Sequence, residues 1–354
     1  MYIIGSGNIS IQNSLGKNRI EEPIAYSEPY VRCVEPNFQD FFTPIALRRM
    51  SRIIKRSIAA SVVCIKEAGI DCPDAIISGT GLGCIEDTEK FLSALIENEE
   101  KYLQPTFFIQ STHNTISSQI AIYLKCHSYN NTYSHRGISF EAALMDAYTL
   151  FKIGNIKSAL VGGFDELTPT YFQQLKKLGF WKEHIDNSLE IYNSKTPGSF
   201  AGEGSISFML SDTPTQTTYA SIEAIDLLYS PTDQSDIIQF VNSFLSNHQL
   251  SHSDIDVIMT GISGDVVHDK PYHFITQQLF PDAIHAIYKN LSGEFFTAPA
   301  FGLWSAASCI RNQEIPKVQI INQKTKKEIS YILLYNHYHY KNHSLILLSS
   351  CRGY

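Results

Sequence analysis

One structural unit is written twice in this chain, and that repetition constrains the fold more than any other feature. Asn131-Thr-Tyr-Ser-His-Arg-Gly137-Ile-Ser-Phe-Glu-Ala-Ala-Leu144 reads as a strand, a sharp turn and a helix. Ser158-Ala-Leu-Val-Gly-Gly-Phe-Asp-Glu166 follows as a buried strand ending in a double glycine. Lys289 to Ile321 repeats the order as a turn, a helix over Ala300 to Ile310 and a strand over Pro316 to Ile321. A second unit recurs ahead of each. Ile53 to Ala68 has helical apolar spacing with Gly69 as its stop, and Asp71 to Gly81 adds a loop, strand and turn. Ile237 to Leu250 is again helical and leads into the strand Ser253 to Gly261.

Two matched pairs in the same order predict an internally duplicated α/β chain. Strands alternating with helices predict mostly parallel sheets covered on both faces. The polar stretch Asp212 to Thr218 marks the boundary, giving halves 1–212 and 213–354. Met1 to Gly7 lacks the basic and apolar regions of a signal peptide and reads as a first strand. Tyr331 to Tyr335 and Ser344 to Ser349 read as two last strands, with Asn336 to Lys341 as their hairpin connection.

The 354 residues are 44% hydrophobic, enough for a large core, and no apolar run is long enough to span a bilayer. Seven scattered cysteines form no CxxC pair, so neither a disulfide framework nor a zinc site is expected, and a reducing cytoplasm fits. A formal charge of -7 argues against general nucleic-acid binding. An acidic protein partner would need a local basic patch. Arg48, Arg49, Arg52, Lys55 and Arg56 offer one, or else a solvated helix face. Gly79-Thr-Gly-Leu-Gly83 is a lone GxGxG after a later strand, which reads as a turn rather than a dinucleotide loop. No cofactor is expected.

The ordered motifs resemble the β-ketoacyl synthase (ketosynthase) family. They are Arg48 to Arg52 before the first long helix, the Gly79 turn, Pro105 to Ile109 before Asn114, the Gly137 elbow, Val161-Gly-Gly163, Gly202-Glu-Gly204, and Lys289 to Glu294. Gly137 stands 17 positions before Gly154 and 25 before Gly162, matching the family elbow without a gap. The resemblance implies the duplicated, five-layered αβαβα thiolase fold. It also implies a catalytic cysteine at the elbow, where this chain has Gly137. The strand-end histidine of the family's HGT motif falls on Thr260. The histidine of its K-x-x-x-G-H motif falls on Glu294, with Lys289 retained and a Lys289–Glu294 ion pair expected. His268 reads as a solvated loop histidine. The glycine-rich gate loop is replaced by His337, Tyr338, His339 and Tyr340, a cluster with no spaced carboxylate or cysteine to make a metal site.

Loss of the thiol and both imidazoles resembles the chain-length factor, the inactive partner of an active ketosynthase in type II polyketide and aryl polyene systems. That resemblance implies a heterodimer with an active ketosynthase, formed across the strand near Asn131, Thr132, Tyr133 and Ser134, with a role for an acyl carrier protein left open. It also implies that Phe107 or Phe108 closes the partner's acyl tunnel, although either could be a core residue. A condensing or acyl-transfer enzyme using Cys84 or Ser139 is the alternative, and a carrier-recruiting scaffold is a third reading.

Overall fold

The computed structural model describes residues 1–351. Ten strands form one sheet in the order β3-β2-β4-β5-β1-β6-β10-β9-β7-β8. They are β1 (Tyr2–Ser10), β2 (Ala75–Gly79), β3 (Tyr129–Tyr133), β4 (Ser158–Asp165), β5 (Gly204–Ser211), β6 (Ala220–Tyr229), β7 (Val257–Thr260), β8 (Ile284–Ile287), β9 (Tyr331–Tyr338) and β10 (Asn342–Ser349). Adding five to each strand number of the first half gives the order of the second. The pairing senses match too. β2 is parallel to β3 and β4, as β7 is to β8 and β9. β5 is antiparallel to β4 and β1, as β10 is to β9 and β6. Two register pairs, Tyr2↔Ser221 and Ile3↔Ala220, join the halves. The expected mostly parallel sheets are therefore corrected to mixed ones. Each half closes its parallel trio with two antiparallel strands running back toward the seam.

Side-chain alternation builds the layers, because neighbouring strand residues face opposite ways. Ala75, Ile77, Ala159, Val161, Ile206 and Phe208 from the first half share one core with Val257, Met259, Ile332, Leu334, Ile346 and Leu348 from the second. Two helices fill that shared core, Ser139–Lys152 and Ala298–Asn312. The opposite faces carry Ile76, Leu160 and Met209 under the helix Arg52–Ala68, and Ile258, Leu333 and Leu345 under Gln234–Asn247 and Lys270–Leu279. The result is the αβαβα sandwich. The helix Arg52–Ala68 ends where its apolar spacing does, at Gly69, whose φ of 68° closes the last turn.

Three expectations change in the second half and on the first outer helix. Pro316 to Ile321 is not a strand. It forms a 3-10 turn, Lys317–Gln319, with one bridge between Ala286 and Ile320. Buried Gln319 holds it there, its Nε2 donating to Ile287 O at 2.8 Å. β9 takes the place expected for that strand. β9 also runs on to Tyr338, so the hairpin turn shrinks to His339, Tyr340 and Lys341, the first two at positive φ. Arg56 is not part of a basic surface. It is fully buried, with Glu203 at 2.8 Å and Glu166 at 3.6 Å. Arg52 is paired with Glu86, Arg48 is exposed, Lys55 is half-buried, and the side chain of Arg49 lies outside the described residues.

Candidate functional site

A cavity of about 310 Å³ opens where the ends of β4, β7 and β9 meet, lined by Asp165, Gly261, His337 and Tyr338. One wall is apolar, with Leu167, Phe180 and Trp181, while Asp265, His268, Lys289 and Glu294 line the other.

The elbow beside it forms because Arg136 takes a φ of 53° and reverses the chain between β3 and the helix Ser139–Lys152. Ser139 fastens the turn, its Oγ accepting from His135 N at 2.8 Å and donating to Arg136 O at 2.7 Å. Gly137 itself is buried under Tyr338. A Cβ at 137 would lie 2.1 Å from Tyr338 Cγ, far inside the closest approach of real atoms. The helix start offers the dipole that favours a thiolate. A tyrosine ring occupies the space in which a nucleophile's side chain would stand.

Strand alternation turns the second expected position away from the cavity. Val257 and Met259 face the shared core, so Thr260 faces outward. Its Oγ1 meets His285 Nε2 at 2.9 Å, and burial pushes that imidazole down to about 3. The residue presented to the cavity is Gly261, where a Cβ would fall 2.4 Å from Asn336 Oδ1. Thr260 therefore does not converge with Gly137 on the cavity.

The expected Lys289–Glu294 pair is present at 2.7 Å and lines the cavity. Lys289 is buried, so the pair is not a surface one. His268, expected to be solvated, is instead engaged on both ring nitrogens. Nδ1 lies 2.8 Å from Asp265 Oδ2 and Nε2 lies 3.0 Å from His339 Nδ1. Burial pushes Asp265 up, but hydrogen bonds from His268 and the Val267 amide win and hold it at about 2. The Asp265 carboxylate raises His268, while burial and the neighbouring His268 charge push His339 down to about 4. Ionised Asp265 accepts from the Nδ1–H of His268 and fixes the ring so that Nε2 faces His339. Among the described residues no group of three or more His, Cys, Asp or Glu could hold a metal ion.

The other sequence candidates lie apart. Cys84 is fully buried, and burial pushes its thiol far up. Ser139 is committed to the turn, and Ser134 is exposed outside the cavity. Asn131, Thr132 and Tyr133 lie on β3, which pairs with β2 alone among the described residues and so leaves a free sheet edge. Phe107 is half-buried on the helix Pro105–Gln110. Phe108 is 57% exposed, so it is not a core residue.

Two buried carboxylates carry no local sequence signal. Asp165 follows the double glycine and ties the halves together, accepting from Gly81 N and Thr297 N, both at 2.8 Å. Glu141 lies one turn beyond the elbow and accepts from Ser344 Oγ at 3.0 Å and Asn336 Nδ2 at 3.3 Å. Burial pushes Glu141 up to about 7, against hydrogen bonds from its own amide, Ser344 and Asn336. In the unfolded chain it ionises near 4.5. Its contribution to stability is therefore complete below that pH and is lost as pH rises through about 7. Wild type should lose roughly 3 kcal/mol relative to Glu141→Gln between pH 4 and pH 8. Urea denaturation of both proteins at the two pH values measures this, and parallel pH profiles would contradict it.

The family model described as "Beta-ketoacyl synthase, N-terminal domain" matches residues 28–222. No curated protein matches the chain. Among solved structures it is similar to the ishigamide ketosynthase/chain length factor, with a TM-score of 0.80, 15% identity, and 99% and 98% of the two chains covered. It is similar in the same degree to a ketosynthase in complex with its chain length factor from Xenorhabdus doucetiae, with a TM-score of 0.80, 16% identity and 99% and 98% coverage. A β-ketoacyl synthase from Burkholderia phymatum STM815 also gives 0.80, at 14% identity and 99% coverage of both chains. At these identities the structural likeness speaks for the fold.

Proposed function

Because the chain belongs to the β-ketoacyl synthase family, whose elbow ordinarily carries the acyl-accepting cysteine, we propose that it is a non-catalytic, chain-length-factor-like subunit. It pairs with an active ketosynthase in type II fatty acid, polyketide or aryl polyene-type biosynthesis. The observation that carries this reading is the Tyr338 ring packed over Gly137, which leaves no nucleophile and no room for one. Buried Cys84 and turn-bound Ser139 weigh against a rearranged active site. We read the chain as halves 1–212 and 213–354, divided in the loop between β5 and β6, and place it in the cytoplasm. Among the described residues no helix is long and apolar enough to cross a membrane.

The free edge of β3 supports the pairing. The helix Thr115–Leu124 that packs on β3 exposes Ile122 at 67%, and the helix Pro105–Gln110 before it exposes Phe108 and Ile109 at 57% and 65%. An acidic acyl carrier protein would find only Arg48 and Lys55 of the expected basic stripe described and unpaired with acid, so its main docking falls to the partner subunit.

The test is co-expression with an intact ketosynthase from the same genome. A heterodimer should form, and mass spectrometry should find acyl groups on the partner only. Stoichiometric acylation of this chain would reject the proposal. Phe108→Ala should lengthen the product of the pair while changing stability by less than about 0.5 kcal/mol, because the ring is exposed. Unchanged product for both Phe107→Ala and Phe108→Ala would remove the tunnel role.

A further inference from the structure

Nothing in the spacing of the cysteines pairs any two of them, yet the fold brings two together. Cys72 Sγ lies 3.0 Å from Cys126 Sγ across 54 residues of chain. Each stands three residues ahead of a strand, Cys72 before β2 and Cys126 before β3. Those strands are parallel neighbours, and their first residues, Ala75 and Tyr129, are register partners. The thiols therefore sit together at the start of the ladder that holds the edge strand. Cys72 is exposed and Cys126 is buried beneath it, with Pro73 O accepting from Cys126 Sγ at 3.4 Å.

We propose that Cys72 and Cys126 are a reversible oxidation site, forming a disulfide that staples β3 to β2. The bond requires the sulfurs to close by about 1 Å, a movement available to an exposed loop cysteine. The two thiols are inequivalent. Burial pushes Cys126 up, but hydrogen bonds from Cys72 and Ser128 outweigh it and hold the thiol below its ordinary value. The hydrogen bond to Cys126 raises Cys72. Cys126 is thus the more readily ionised of the two thiols, and Cys72 donates a hydrogen bond to its sulfur.

With a peroxide as oxidant, Cys126 sulfur attacks one peroxide oxygen. An S–O bond forms, the O–O bond breaks, and the departing hydroxide takes a proton to leave as water. Cys72 sulfur then attacks the sulfenic sulfur of Cys126. The S–S bond forms, the S–O bond breaks, and the second oxygen leaves as water with the remaining proton. The dithiol gives up two electrons and two protons, and the peroxide is reduced to two waters.

The other cysteines supply an internal control. Cys33, Cys64, Cys84 and Cys309 are buried, and burial raises each thiol. Cys351 is half-buried and also raised.

The experiment treats the purified full chain with equimolar hydrogen peroxide. Titratable thiols should fall by two from seven, and non-reducing peptide mapping should recover one Cys72–Cys126 link. Dithiothreitol should restore all of them. Cys72→Ser should block the link and leave a Cys126 sulfenic acid that dimedone traps. Amide exchange across Tyr129–Tyr133 should slow about tenfold in the oxidised chain, because the crosslink opposes opening of the edge. Seven surviving thiols, a link between other cysteines, or a loss of two thiols in Cys72→Ser would overturn the proposal. Unchanged exchange in β3 would overturn the stapling part. Every readout uses this chain alone, so the outcome does not depend on whether it pairs with a ketosynthase.

Discussion

Gly137→Cys should yield a protein that accepts no acyl group from an acyl thioester and is less stable than wild type. The new Cβ would stand 2.1 Å from Tyr338 Cγ, so the ring must leave or the elbow must shift. Neither is easy. Tyr338 closes β9 in register with Asn342, and its ring packs on Phe296 at 5.7 Å. Overpacking of this kind costs about 1–3 kcal/mol, and more where the neighbour is held. Trimming the ring gives the complementary result. In Gly137→Cys/Tyr338→Gly the steric part of the loss should return, so the two substitutions should show strongly non-additive stabilities in denaturant unfolding. The thiol would then sit free at a helix start beside the cavity and should take up an acyl group. Condensation should still be absent. The cavity-facing strand end is Gly261, and Lys289 is matched with Glu294 rather than with an imidazole. Mass spectrometry of both variants after incubation with an acyl thioester decides the point. Full acylation of Gly137→Cys with unchanged stability would show that Tyr338 is no barrier.

Element order, the elbow and the Lys289–Glu294 pair were legible in the sequence because each rests on local spacing. The second half's topology was legible as repetition, although Pro316 to Ile321 resembled a strand only in composition. Its Gln319 side chain is spent on Ile287 and Ser305 instead of a ladder. Thr260, where the resemblance put the family's strand-end histidine, does not line the cavity. The apolar alternation of Val257 and Met259 already assigned Thr260 to the outer face, and that was the available signal. Arg56 looked like part of a basic stripe, yet it lies in the fully buried row of its helix with Ile53 and Ala60. Spacing tells which face a residue shares, but not that Glu166 and Glu203 meet it there from distant segments. The contact of Tyr338 with Gly137, and the chain from Asp265 through His268 to His339, are tertiary facts that no local pattern announces.

The second large effect is expected at the edge of β3. An unpaired strand edge flanked by apolar side chains is a liability unless something covers it. Here β3 carries Tyr129 at 44% exposure, and the adjoining helix Thr115–Leu124 carries Ile122 at 67%. That helix is tied to the strand by Asn130 Nδ2 donating to Ser117 O and by Ser117 Oγ meeting Thr132 Oγ1 at 2.7 Å. Strand and helix therefore present one surface. Covering it with the matching edge of a ketosynthase would bury the apolar groups and pair the free backbone together. An aspartate introduced there would be desolvated in the heterodimer but hydrated in the free subunit. With Phe108 read as facing the partner, Phe108→Asp combined with Ile122→Asp should therefore leave folding of this chain close to wild type while weakening the heterodimer by roughly 1000-fold, about 2 kcal/mol for each of the two exposed side chains. Tyr229→Asp is the matched control, since Tyr229 is 75% exposed at the end of β6 in the other half. Analytical ultracentrifugation of the co-purified pairs, with unfolding curves of the single chains, separates the two effects. Undiminished pairing by the double variant would place the interface elsewhere. Equal weakening by Tyr229→Asp would mean that surface charge, rather than this edge, is responsible.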